Sequence, residues 1–238
     1  FVCTTSGAHD FLIERGIMPT WHVEFEPRPH KAFFLKNPKP EVTYCLASVC
    51  HPNLFDAVEG YQTLMWHGGG GNMLNDCDVV LEAEDNDAIV VTGGSTAGLR
   101  ALAVGHVLGF RRFELFGLDC SYTEDAIWAG PHSGVPHTKL KIECNGREFY
   151  TSDTMINAAE ELFAFFNEMP GCHINIHGDH LVSERVRLCQ IDANVARDKW
   201  WRPLNFEVTD APMFPGVVEV DNLISEDYRK LNEQLHED

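Results

Sequence analysis

The stretch AIVVTGGSTAGLRALAVGHVLGFRRFELFGLD, residues 88–119, decides the fold. It opens on Ala88-Ile89-Val90-Val91, a short apolar run that reads as a buried strand over 88–91. Two glycines follow, and Ser95-Thr96 then opens a helix of small residues, expected over 96–108. A second strand, over 112–116, ends in Gly117-Leu118-Asp119. Strand, tight turn, helix, strand is the repeating unit of a parallel sheet, because parallel strands need a crossover between them.

The rest of the chain keeps this rhythm. Strands are expected over 1–5, 21–25, 42–47, 63–66 and 173–176, and helices over 8–15, 52–58 and 154–168. Met155, Ala158, Ala159, Leu162, Phe165 and Phe166 recur at helical spacing, which marks a core-facing stripe. The fold class is therefore α/β, a Rossmann-like three-layer sandwich with a mostly parallel sheet. Ligands of such sheets bind beyond the carboxyl ends of the strands, so functional residues belong in the loops that follow them. One such domain is expected over 1–195, with a lid insertion over 119–152. That insertion carries a hairpin around Cys144-Asn145-Gly146. Residues 196–238 read as a Trp-, Pro- and Phe-rich surface wrap and a charged terminal helix, leading toward an additional domain of a longer protein.

Composition narrows the partners. The 238 residues carry a formal net charge of −18, which disfavours a general nucleic-acid binder. No apolar run approaches the roughly 18 residues of a membrane span. The eight cysteines form no Cys-x-x-Cys pair, and most sit in apolar runs such as TYCLASVC, so buried free thiols in a reducing, cytoplasmic setting are expected. No signal peptide is recognisable.

Four segments carry candidate chemistry. At Gly93, Gly94, Ser95 and Thr96 the glycines allow close backbone approach, and the helix start with its two hydroxyls favours an anion. The same residues also suit a helix cap and tight strand–helix packing. The segment is neither a Walker A loop nor a Gly-x-Gly-x-x-Gly fingerprint. Asp119, just past a strand, can hold Mg²⁺, bind a ribose or orient a base, and Ser121 joins it as a binding candidate. Strand alternation places His22, Glu24 and Glu26 on one face, where Glu26 is a candidate metal ligand beside Asp119. It equally allows one buried and one solvated acid. Arg28, His30 and Lys31 follow as candidate phosphate contacts, and Gly68-Gly69-Gly70-Gly71 reads as a mobile loop or a phosphate nest. His132 and His137, on the long insertion, are candidate general acids or bases, and His177 and His180 follow the last strand.

The order of these motifs resembles a widespread family of domains that includes the archaeal 6-hydroxymethylpterin diphosphokinases and the motility-associated factor proteins of flagellated bacteria. In that family a Gly-Ser-Ser/Thr turn, a small-residue helix, a Leu-Gly, a strand and a Gly-x-Asp recur in this order. Residues 9–19, HDFLIERGIMP, with Glu26-Pro27 beyond them, are similar to the family's Gly-Ile-x-Pro and Asp-Pro segments. The likeness spans roughly residues 8–185. The middle motif is also similar to bacterial sialyltransferases that use a CMP-linked donor. That resemblance implies Ser95 and Thr96 at the nucleotide, Asp119 lining the cleft, and His132 or His137 as the base. Both families open on a Gly-x-Gly-Pro-Ser nucleotide loop that this sequence lacks, and a glutamate, Glu26, stands at the family's aspartate position. What the resemblance implies is a transferase using Mg²⁺ and a nucleotide donor such as ATP or a CMP-sugar. A glycosyltransferase, or a non-catalytic nucleotide-binding module, is the alternative.

Overall fold

The computed structural model describes residues 1–69, 90–123, 140–169, 171–191 and 200–206. The chain divides into two compact units, Phe1–Phe113 with Glu160–Ile174, and Glu114–Ala159 with Asn175–Asp238.

The first unit holds a five-stranded sheet in the order β1 (Cys3–Thr5), β2 (Trp21–Glu24), β3 (Thr43–Ala47), β4 (Thr63–Gly68) and β5 (Val90–Val91). Every pairing is parallel: Thr5 lies beside Val23, Val23 beside Cys45, Cys45 beside Leu64, and His67 beside Val90. Helices make the crossovers. These are α1 (Ala8–Ile13), a 3-10 helix at Pro29–Phe34, and α2 (Pro52–Ala57), with α3 (Ala97–Val107) following β5. This is the α/β, Rossmann-like fold expected from the sequence. Tyr44, Cys45, Leu46 and Ala47 are all fully buried, because the central strand of a parallel sheet is covered on both faces. Trp66, Leu54 and Leu99 complete the core, each contributing roughly 1.5–3 kcal/mol through burial. The Trp66 indole keeps a hydrogen bond, donating to the Cys45 carbonyl at 3.2 Å.

Helix starts follow local chemistry. Pro52 occupies the first turn of α2, where no N–H is needed, and the His51 side chain accepts from Asn53 N. Thr96 caps α3 by accepting from Leu99 N at 3.3 Å.

Two further strands, β6 (Arg112–Phe116) and β9 (His173–His177), pair with each other. Within the second unit, β7 (Leu140–Cys144) and β8 (Arg147–Thr151) form the expected hairpin. Its two-residue turn is Asn145-Gly146, both residues at positive φ. The helix α4 (Asp153–Glu168) carries the expected stripe, with Ala158, Ala159, Leu162 and Phe165 buried.

Two elements depart from the sequence reading. Residues 181–191 form a helix, α5 (Leu181–Ile191), where none was expected. Its buried residues are consecutive, Leu181 to Arg185, and Glu184 among them is buried against arginines, so no apolar period marks it. Within the stretch read as an irregular wrap, Arg202–Phe206 forms an edge strand, β10, antiparallel to β7. Its register shifts between Pro203 and Asn205, as suits a proline that cannot donate to the ladder.

Of the seven described cysteines, Cys3, Cys45, Cys50, Cys144, Cys172 and Cys189 are free thiols. Burial pushes the Cys45 thiol up to about 12 and those of Cys50 and Cys144 up to about 11, so they act as small apolar side chains. Cys77 lies outside the described residues, as does the expected terminal helix. Among the described residues, no helix is long and apolar enough to cross a membrane.

Candidate functional site

In the first unit, the glycine turn after β5 is held by backbone conformation and packing together. Gly93 has φ +125° and Gly94 φ +36°. A Cβ at Gly93 would lie 2.4 Å from Phe165 Cζ, and one at Gly94 2.2 Å from Leu99 Cβ. The space a ligand could use at these two glycines is thus filled by protein. Ser95 behaves differently. Its N–H and its hydroxyl both donate to one oxygen, Oε2 of Glu161 on α4, at 2.8 and 2.7 Å. The exposed turn therefore presents two convergent donors to a single anionic oxygen, as expected of a helix start. Behind it, Arg100 is buried and donates through Nη1 to the carbonyls of Gly69 and Val91, tying the ends of β4 and β5. Its guanidinium sits over the Phe25 ring, 4.5 Å from the centroid, and its Nε has no hydrogen-bond partner among the described residues. Burial draws the Arg100 pKa down, and the Glu161 charge works against that.

The acidic end of β2 separates into two environments. His22 and Glu24 are fully buried, Nε2 to Oε1 at 3.4 Å, with Thr4 Oγ1 at 3.0 Å from His22 Nδ1. The strand ends at Glu24, and Glu26 lies beyond it. There the Glu26 oxygens take Nε and Nη2 of Arg28, each at 2.6 Å, a bidentate pair that raises the Arg28 pKa. Glu24 and Glu26 therefore do not share one site. Among the described residues, no three His, Cys, Asp or Glu side chains are grouped to hold a metal ion.

In the second unit, Asp119 and Ser121 stand in one tight loop after β6. Cys120 between them has φ +51°, a conformation uncommon for a residue with a side chain. Neighbours hold it: Thr151 Oγ1 donates to the Cys120 carbonyl at 2.8 Å, and Ser121 Oγ accepts from Leu181 N at 3.1 Å. Burial pushes the Tyr122 phenol up to about 12, so it stays neutral and donates to the Thr151 carbonyl at 2.6 Å. The Asp119 side chain is left 48% exposed, with His180 Nε2 at 3.3 Å from Oδ1.

The structure thus gathers Ser95 and Thr96 in one turn and Asp119 and Ser121 in one loop. Glu26 is engaged by Arg28, and His132 and His137 lie outside the described residues. Reading the sequence alone missed Glu161. It sits on the polar side of an amphipathic helix, 66 residues from Ser95, with no local mark of its role.

Residues 1–125, more than half of the 238, match the family described as 6-hydroxymethylpterin diphosphokinase MptE-like. The chain belongs to that family. The matched residues of this MptE-like chain include the Gly93–Thr96 turn, Asp119 and Ser121. Among solved structures it is similar to the MAf glycosyltransferase from Magnetospirillum magneticum AMB-1, with a TM-score of 0.54 at 13% identity. That likeness covers 84% of this chain, which spans 33% of the glycosyltransferase's length, and it is a likeness of fold. No curated protein matches the chain.

Proposed function

We propose that this chain is the nucleotide-binding part of a transferase, working on a phosphate-bearing donor as the diphosphokinases that name its family do. The observation that carries the reading is at Ser95, whose N–H and hydroxyl converge on one carboxylate oxygen, the geometry a phosphate oxygen would meet. Thr96 caps the helix beside it. In the second unit, Asp119 is the carboxylate that fits Mg²⁺: it is half exposed, and Mg²⁺ usually takes one or two carboxylates and completes its shell with water and substrate phosphates. Glu26, in the first unit, is engaged by Arg28. When bound, the ion would neutralise charge on the transferred group. Ser121 belongs to the same loop, and His132 and His137 are the candidates for moving a proton.

A second reading is transfer of a nucleotide-activated sugar. It draws on the fold shared with the MAf glycosyltransferase, and it needs no strict metal dependence.

Thermal shift with ATP, GTP, CTP, CMP and a CMP-sugar, each with and without Mg²⁺, separates these readings. A ligand at a hundredfold over its Kd stabilises by about 2.7 kcal/mol. Stabilisation by a triphosphate only with Mg²⁺, weakened by Ser95→Ala and by Asp119→Asn, is the expected result. Stabilisation by CMP or the CMP-sugar in EDTA supports sugar transfer, and no shift with any nucleotide overturns both readings.

A further inference from the structure

The chain enters α5 through Gly178-Asp179-His180, and the His180 imidazole is buried there at the N-cap position. Its Nδ1 lies 3.3 Å from the backbone N–H of Ser183, which can only donate. The lone pair of Nδ1 is therefore in use, and in the neutral ring the proton must sit on Nε2. That N–H is donated to the His177 carbonyl at 3.0 Å, and Asp119 Oδ1 lies 3.3 Å from Nε2. The Ser183 hydroxyl fixes the residue from behind, accepting from His180 N at 2.9 Å and donating to its carbonyl at 2.7 Å. Gly178, at φ +120°, leaves the room the ring needs, since a Cβ there would stand 2.6 Å from His180 Cδ2 and 2.8 Å from Nε2.

Helix capping accounts for the Nδ1 contact. It does not account for the half-exposed carboxylate of Asp119 standing 3.3 Å from Nε2. Neither ring nitrogen offers a free lone pair, so in this arrangement the ring is no general base. We propose that His180 is the positioning residue of Asp119: the Nε2 edge of its buried ring stands against Oδ1, so that Oδ2 is presented to the Mg²⁺ or to the hydroxyls of the nucleotide donor. The inference rests on the proposed role of Asp119 in that transferase.

Two measurements test it. The first uses the ligand-free protein and reads the ¹⁵N resonances of the His180 ring. The expected spectrum is that of the Nε2–H tautomer, with the Nε2 signal displaced by Asp119→Asn. An Nδ1–H tautomer, or an Nε2 signal indifferent to Asp119→Asn, overturns the proposal. The second uses His180→Ser, which keeps a side-chain cap for α5 and removes the reach to Asp119. Its melting temperature is expected to stay near that of the wild type while its affinity for MgATP falls about fivefold, the worth of an electrostatic contact at a half-exposed carboxylate. Unchanged MgATP affinity in a folded His180→Ser protein also overturns the proposal, and if that variant does not fold, the ring resonances decide alone. A wild-type protein that binds none of the nucleotides defeats the proposed function, and the ligand-free spectrum still decides the role of His180.

Discussion

Replacing Gly93 by alanine puts a methyl group 2.4 Å from Phe165 Cζ, 2.9 Å from Cε1 and 3.2 Å from the Ala103 methyl, at a backbone φ of +125°. Two separate penalties follow. Overpacking against a ring that is itself buried costs about 1–3 kcal/mol. Holding an L residue in that backbone region costs about 1–3 kcal/mol more. A loss near 4 kcal/mol corresponds to a fall in Tm of about 8–16 °C for a domain of this size. Gly109 supplies the control, because it too has a positive φ, +97°, but a Cβ there meets nothing within 4 Å. Gly109→Ala should therefore show only the backbone part, about half the loss. The assay is thermal and urea unfolding followed by circular dichroism, with Phe165→Leu added to each variant. The smaller side chain should restore part of the stability of Gly93→Ala and none of that of Gly109→Ala, the signature of coupled neighbours. If Gly93→Ala melts no lower than Gly109→Ala, the packing of α4 on the glycine turn is wrong, and the glycines must be explained by a ligand instead.

The Glu161 carboxylate occupies the donors that the proposed phosphate needs, so Glu161→Gln should raise affinity for a nucleotide triphosphate about fivefold, the worth of roughly 1 kcal/mol at an exposed position; isothermal titration at low salt reads it, and an unchanged or weaker Kd refutes it. His9 is buried between Asp10 Oδ1 at 2.7 Å and Tyr44 OH at 3.2 Å, and burial holds its pKa below the ordinary 6.5, the nearby His22 and Lys39 charges adding to the effect and Asp10 opposing it. The native state thus binds fewer protons than the unfolded chain, so the stability this residue contributes is full above pH 6.5 and is lost as pH falls from there through the depressed value, by at most about 1.4 kcal/mol per pH unit. Tm measured between pH 7.5 and 5 should fall more steeply for the wild type than for His9→Asn, and parallel curves would falsify the assignment.

The strand and helix pattern was open to a reader of the sequence because its causes are local. Val90-Val91 before two glycines, Thr96 before a run of small residues, and Asn145-Gly146 between alternating strands each state their own conformation within a few positions. The α5 helix was hidden because Glu184 and Arg185 are buried in it through partners elsewhere in the chain, Asn145 and Arg147 among them, so its polar residues broke the period that marks other helices. The strand β10 was hidden because a proline-bearing edge strand owes its shape to the partner it pairs with, β7, about sixty residues earlier.

The candidate site divides in the same way. The sequence by itself determined which residue types stand past the strand ends: Ser95 and Thr96 after β5, Asp119 and Ser121 after β6, Glu26 after β2. Connectivity alone places these, since a parallel strand must release its chain at the carboxyl edge. Only the tertiary structure decided what each one meets. Glu26 is closed off by Arg28, Ser95 is answered by Glu161, Gly93 is filled by Phe165, and Asp119 faces an imidazole whose proton is fixed by the backbone of α5. Those pairings depend on which side chains the folded backbone brings within a few ångströms. Hydrogen bonds and ion pairs fall off so steeply with distance and angle that no pattern along the chain records them.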